Sequence, residues 1–435
     1  MTLLRDWEMG KLVALFLLFV AGSMAAAAQD LFPLQPHPVD TSWPTEVWER
    51  GEMPADTAPL VEALIAKAMS TEKGELMGET RAIVIIHEGR LVAEAYREGF
   101  GPDTKQFSWS VAKSITHALV GRAVHLGLIE DIDAPMPTPF EAVDPRAAIT
   151  WRQWLNMTDG LDARAAGEMM FGRGKYDVLG FAEQELPPLH EPGTHWNYSL
   201  VGYHAVGWAL QQPPNVSLST ILRLIEEDSH VFAREGGVIC DEECLRATKL
   251  FERVRTSGCS GFIFACRFLL QIGMDAQPEF DAAGTFLGGS HIWASAHDYA
   301  KFGYLYLRDG VWEGERLLPE GWVDFGRTPG PDETVKVYGA GWWLVLPEGE
   351  ETRWNRAARS APFDAFRANG SEGQTINVVP SRDLVVVRLG LMPNRNANWN
   401  ALLEWNQEVA RAFPEVTQDL GGESGSDSES EPILP

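Results

Sequence analysis

Segment 111–126 is apolar almost all round, through Val111, Ile115, Ala118, Leu119, Val120, Ala123 and Val124. A helix without a polar face has to be enclosed by protein, so the rest of the chain must be built around it. Ser110 and Lys113 stand at its mouth. Residues three apart share a helix face, with Cβ atoms roughly 5–6 Å apart, which brings a lysine amine within reach of a serine hydroxyl. A serine becomes a useful nucleophile only when a base takes its proton, and a neighbouring amine can do this. Ser108 is the expected N-cap and Gly127 the expected terminator, which puts Ser110 in the first turn, where the helix dipole favours developing negative charge. Ser70 and Lys73 have the same spacing. No apolar helix follows them, so that copy reads as a helix end running into a loop.

The 435 residues suffice for one large domain or two ordinary ones, with ample core. A net charge of −25 argues against nucleic acid or anionic membrane surfaces as partners, since polyanion binding needs basic patches. Arg5 and Lys11 precede an apolar run at 12–20, followed by Ala25-Ala26-Ala27-Ala28. This pattern predicts a secretory signal over 1–28, with an uncleaved anchor as the alternative, and a mature chain that is exported, periplasmic or extracellular. The main body then spans 29–415, and 416–435 reads as a disordered acidic tail.

Residues 29–57 read as a surface lead-in and 58–69 as a short amphipathic helix. Segments 81–87 and 90–96 are β-rich and flank Glu88-Gly89, a hairpin signature. Further helices are expected at 149–155, 201–210, 297–309, from 320 and at 398–413. Strands are expected at 341–346, 374–379 and 384–389. All four cysteines (Cys240, Cys244, Cys259, Cys266) fall within 211–271, which reads as an inserted lobe with local disulfides; no Cys-x-x-Cys pair supports zinc. An early hairpin joined by late strands, with helices between, predicts an α+β fold. An antiparallel sheet is closed by both chain ends, flanked by helices and set beside a mainly helical subdomain.

The sequence has no Gly-x-Ser-x-Gly elbow, His-Glu-x-x-His, Walker loop or Gly-x-Gly-x-x-Gly, so neither a metal nor a nucleotide cofactor is expected. A serine–lysine site also needs a proton relay and oxyanion donors. Tyr198 heads the 201–210 helix much as Ser110 heads its own, which makes it a relay candidate. The Gly370-Ser371-Glu372-Gly373 turn leads into a strand, and its glycines allow close backbone approach to a ligand. In isolation, Tyr198 reads equally as a capped core tyrosine and the turn as an ordinary one.

Several stretches together resemble the serine β-lactamase-like hydrolases, the superfamily of class C β-lactamases, D-Ala-D-Ala carboxypeptidases, esterases and 6-aminohexanoate-dimer hydrolase, with the last branch most similar. They are Trp109-Ser110-Val111-Ala112-Lys113-Ser114, Met157-Thr158-Asp159-Gly160-Leu161, Pro192-Gly193-Thr194 through Tyr198-Ser199, and Asp281-Ala282-Ala283-Gly284-Thr285-Phe286. Asp298-Tyr299-Ala300-Lys301-Phe302-Gly303, the 312–319 stretch and the Gly370 turn complete the series. The resemblance implies Ser110 as nucleophile, Lys113 as its base and Tyr198 as proton relay. Backbone N–H groups of Ser110 and Ser371 would be oxyanion donors, with Gly370 and Asn369 beside the substrate. It implies cleavage of a small-molecule or short-peptide amide or ester, without a cofactor. Two positions depart from the family pattern: Tyr198-Ser199-Leu200 lacks the usual asparagine, and Ala368-Asn369-Gly370 lacks the usual lysine. Both departures weigh against a true β-lactamase or carboxypeptidase. Those activities, and a non-catalytic binding or scaffold role, remain the alternatives, and the oligomeric state is not legible.

Overall fold

The computed structural model describes residues 31–70, 77–162, 164, 166–212, 263–332, 334–345, 362–392 and 395–416. The expected leader at 1–28, the disulfides of the inserted segment and nearly all of the acidic tail lie outside the described residues. In chain order the principal elements are α1 (Ala58–Ser70), β1 (Glu79–His87), β2 (Arg90–Tyr96), β3 (Gln106–Phe107) and α2 (Val111–His125). Next come α3 (Trp151–Leu155), α4 (Ala166–Phe171), α5 (Val178–Glu185), α6 (Val201–Gln211), α7 (Ile263–Gln271), β4 (Gln277–Pro278), β5 (Ile292–Ala294) and α8 (Ala296–Leu307). The series ends with β6 (Val311–Trp312), β7 (Glu315–Arg316), α9 (Trp322–Gly326), β8 (Trp343–Leu344), β9 (Phe366–Gly370), β10 (Gln374–Val379), β11 (Leu384–Leu391) and α10 (Arg395–Ala412).

The main sheet has the order β2-β1-β11-β10-β9-β8, with every pairing antiparallel. The hairpin forms as expected. Glu88 (φ 48°) and Gly89 (φ 75°) both take positive φ, as a two-residue loop matched to strand twist requires. The long-range pairing of β1 with β11, such as Val84 with Val387, closes the sheet from both ends of the chain. One sheet face, with Val84, Ile86, Ile376, Val385 and Val387, packs into a core shared with α2 and α8. The other, with Ile83, Ile85 and Val386, packs under Val61 of α1 and Leu402, Trp405 and Val409 of α10. Each fully buried aliphatic of this kind contributes roughly 1.5–3 kcal/mol. The α+β expectation holds.

Local differences have physical causes. The strand expected at 341–346 is reduced to Trp343–Leu344, and β9, which sequence patterning did not anticipate, intervenes between it and β10. The N-cap of α2 is Ser110 rather than Ser108. The Ser108 hydroxyl turns away from the helix, donates to the Ser290 carbonyl (3.1 Å) and accepts from the Ile292 N–H (3.0 Å). The far end of α2 closes as expected. Gly127 (φ 69°) follows the C-cap, with Gly127 N donating to Val124 O (2.9 Å) and Leu128 N to Ala123 O (2.8 Å), a Schellman arrangement. Ser70 is the last residue of α1 and donates to the Lys67 carbonyl, so the rival serine terminates a helix.

Candidate active site

Ser110 sits where α2 begins, immediately after Trp109, which is held at φ 46°. A positive φ on a bulky residue is strained, and such strain persists only where surrounding packing enforces it. The Trp109 indole stands edge-on to Phe107 (5.0 Å) and its N–H reaches Glu372 Oε2 (3.4 Å). Ser110 remains partly accessible at this turn, whereas Lys113, one helical turn on, is 1% exposed.

Lys113 Nζ lies 3.1 Å from Ser110 Oγ and 2.7 Å from the carbonyl oxygen of Gly289. Burial disfavours the ammonium form and brings the lysine pKa down to about 7, with no carboxylate to oppose the shift. Near neutral pH the amine therefore divides about evenly between its two forms. In the neutral form one N–H occupies the Gly289 carbonyl, which leaves the lone pair free to face the serine O–H.

The segment holding that carbonyl is itself tightly fixed. Three consecutive carbonyls accept from side chains of the 108–116 stretch: Gly288 from Thr116 (2.7 Å), Gly289 from Lys113 and Ser290 from Ser108. The Gly289 N–H points to Nδ1 of the buried His204 (3.3 Å), whose other ring nitrogen meets the Met170 sulfur (3.3 Å). Burial drives the His204 pKa well down, so the ring stays neutral beside Lys113. A side chain at 288 would meet Thr116 Oγ1 at 2.7 Å, and one at 289 would meet the Leu200 carbonyl at 3.1 Å. Sequence reasoning did not identify Gly289 or His204; the adjacent glycines at 288 and 289 were the available signal.

Tyr198 precedes α6 and shares a hydrogen bond with Ser110. Its ring stacks on Trp343 (5.3 Å), and Lys113 Nζ stands 5.0 Å from its centroid. Loss of hydration raises the Tyr198 pKa to about 12, the hydrogen bond to Ser110 opposing, so the phenol keeps its proton at neutral pH. Ser110, Lys113 and Tyr198 are therefore brought together.

The end of β9 closes the other side. A Cβ at Gly370 would stand 2.2 Å from the Ser108 carbonyl and 3.1 Å from Trp109 Cβ, so only glycine permits this approach. Ser371 follows in a short 3-10 turn in which Glu372 takes φ 64°. Arg388, fully buried in β11, donates to the carbonyls of Glu372 and Gly373 and to Thr80 Oγ1, pinning that turn. Ala368 faces the apolar core, so no cation occupies the position where the family pattern has lysine. Asn369, expected beside the substrate, instead pairs in register with Thr375 and projects to the sheet face opposite the one packed on α2, where its Oδ1 has no hydrogen-bond partner. Among the described residues no group of three or more His, Cys, Asp or Glu side chains forms a metal site.

Residues 74–223, which contain Ser110, Lys113 and Tyr198, match the Beta-lactamase family model. Over 364 residues the chain is 23% identical to the 6-aminohexanoate-dimer hydrolase of Paenarthrobacter ureafaciens, covering 80% of this chain and 82% of that protein. A Bacillus anthracis protein carrying the provisional description 6-aminohexanoate-dimer hydrolase superposes with a TM-score of 0.55 at 18% identity, covering 87% of this chain and 89% of its own. A penicillin-binding protein homologue from Caulobacter crescentus superposes with a TM-score of 0.50 at 15% identity, covering 83% and 99%. The resemblance read from the sequence motifs is borne out, and the fold is that of the serine β-lactamases and penicillin-binding proteins.

Proposed function

We propose that this chain, whose residues 74–223 match the Beta-lactamase family model and which is similar to a 6-aminohexanoate-dimer hydrolase, is an exported serine hydrolase that cleaves an amide or ester through an acyl–Ser110 intermediate. The observation that carries the reading is the Lys113 amine, buried, 3.1 Å from Ser110 Oγ and with its pKa lowered to about 7. Neutral Lys113 takes the Ser110 proton as Oγ attacks the substrate carbonyl. Charge developing on the carbonyl oxygen is met by the backbone N–H groups of Ser110 and Ser371, fixed donors of the kind that supply much of the stabilisation in acyl transfer. Tyr198 gives its phenolic proton to the leaving amine or alkoxide and is reprotonated by the Lys113 ammonium. Water then enters by the reverse route: Lys113 accepts its proton as its oxygen attacks the acyl carbon, and the Lys113 ammonium returns that proton to Ser110 Oγ as the acyl–oxygen bond breaks and the acid leaves.

The substrate class is a short linear amide or ester without a required carboxylate next to the scissile bond. Ala368 in place of a cation supports this choice, and so does the likeness to a 6-aminohexanoate-dimer hydrolase. The expected leader at 1–28 supports export to the periplasm or the extracellular space. Parallel assays with p-nitrophenyl esters, 6-aminohexanoate dimer, D-amino-acid amides and nitrocefin test the reading. Ester or linear-amide turnover that disappears in Ser110→Ala is expected. Turnover of nitrocefin alone, or tight binding with no turnover of any substrate, would overturn it in favour of a β-lactamase or a binding module.

A further inference from the structure

Two arginines are buried in the main sheet, and they are provided for very differently. Arg388 donates to the carbonyls of Met77, Glu79, Glu372 and Gly373 and to the Thr80 hydroxyl. Arg367, in the middle of β9, is 2% exposed; its Nε is buried without a hydrogen-bond partner, and no carboxylate among the described residues pairs with it. Burial alone pulls its pKa down to about 10, with no carboxylate to hold it up. The group therefore stays charged at neutral pH, and an unpaired buried charge is among the costliest features a fold can carry.

Its neighbours share the deficit. β9 and β10 pair Arg367 with Asn377 and Asn369 with Thr375. Directly opposed residues of an antiparallel pair project to the same face, so these four side chains form a compact polar quartet. Asn369 Oδ1 and Thr375 Oγ1 are buried and unpartnered, as is Arg367 Nε. The alternate residues Phe366, Ala368, Ile376 and Val378 project to the opposite face and lie in the core shared with α2. The quartet's own face, which also carries Ala365 and Val386, is the one under α10. On α10, Asn406 Oδ1 and Gln407 Nε2 are likewise buried without partners.

We propose that Arg367, Asn369, Thr375 and Asn377 form a binding site for a small monoanion within the sheet face beneath α10. The site offers a guanidinium fork, a hydroxyl and two carboxamides whose amide ends are interchangeable by rotation. This donor-rich set carries positive charge and includes no carboxylate. A chloride or a small carboxylate fits that chemistry; both present a single negative charge that accepts several hydrogen bonds. Bound there, the anion fastens β9 three residues before Gly370, and so supports the strand that carries the oxyanion turn. The proposal does not depend on the reaction catalysed at Ser110.

The test uses the full-length protein exchanged into sodium gluconate, whose anion is too large for the quartet, and titrated with chloride or formate at constant ionic strength. A saturable rise in melting temperature of about 3 °C or more is expected, as for any ligand that binds only the folded state. A response to chloride alone assigns the site to halide, and a response to formate assigns it to carboxylates. Arg367→Met should abolish the rise, with a melting temperature in gluconate equal to or above that of the wild type. The absence of a saturable rise with either anion, or the same rise in Arg367→Met, overturns the proposal. Should that variant fail to fold, wild-type crystals soaked in bromide and, separately, in formate decide. An anomalous bromide peak or formate density within hydrogen-bonding distance of Arg367 sustains the site, and the absence of both at the quartet removes it.

Discussion

Lys113 shows how a single residue's surroundings set its chemistry. The amine is charged below its lowered pKa of about 7 and cannot then accept the Ser110 proton. For an uncharged ester, kcat/KM is therefore predicted to rise about tenfold per pH unit at low pH and to level off above pH 7. A stopped-flow or steady-state pH profile checks this, and a limb centred near the ordinary lysine range would show that burial has not tuned the base. Asp159 is a second buried ionisable group, 1% exposed. Its Oδ1 accepts from the Leu161 N–H (2.8 Å), and its Oδ2 has no partner. Burial raises its pKa to about 7, above the unfolded value near 3.8. The folded chain thus holds the proton more tightly. The stability this confers is complete below about pH 4 and is lost as pH rises through 7. Asp159→Asn should match the wild type near pH 4 and exceed it by about 2–4 kcal/mol at pH 8, read by thermal unfolding across that range. A difference independent of pH would contradict the assignment.

At the scale of elements, the site is a meeting of the α2 N-terminus, the 288–290 segment and the end of β9. Gly370→Ala would drive a Cβ against the Ser108 carbonyl, where the gap is 2.2 Å, and the backbone there has no soft side chain to yield. A displacement of about 1 Å at a reacting group costs on the order of 100-fold. We therefore predict a loss of that size in kcat, with KM little changed, in a protein that still folds by circular dichroism. Much of this layer was legible in the sequence. The all-apolar pattern marked α2, Glu88-Gly89 marked the hairpin, and Tyr198 stood at the head of its own helix. β9 was not legible, because Phe366-Arg367-Ala368-Asn369-Gly370, although it alternates, has one large apolar residue, no β-branched residue and a polar second face that happens to be buried. Its strand state comes from pairing with β10 rather than from its own composition. Ser108 misled for a related reason. Its type suits an N-cap, but a partner 182 residues away, the Ser290 carbonyl, takes its hydroxyl. The Gly289 and His204 support of Lys113 is equally non-local, and no spacing rule connects residues 113, 204 and 289.

The whole molecule is a sheet closed by its two ends, with the site where the helical middle meets that sheet. Closure by β1 and β11 leaves one face dependent on α10 and the residue after it, through Leu402, Trp405, Val409 and Phe413, all 1% exposed or less. Those four side chains contribute on the order of 8 kcal/mol, comparable with the whole stability margin of a domain. A chain ending at Met392 should therefore lose its cooperative melting transition, and retention of that transition would show that the sheet stands without its cover. The central claim, an acyl–Ser110 intermediate formed with Lys113 as base, has a direct measurement in intact and peptide mass spectrometry after brief exposure to a fluorophosphonate. The account predicts one adduct per chain, on Ser110, formed faster as pH rises through 7, at least 100-fold slower in Lys113→Ala and absent in Ser110→Ala. An adduct on another residue, or labelling of Ser110 unaffected by the loss of Lys113, would contradict it.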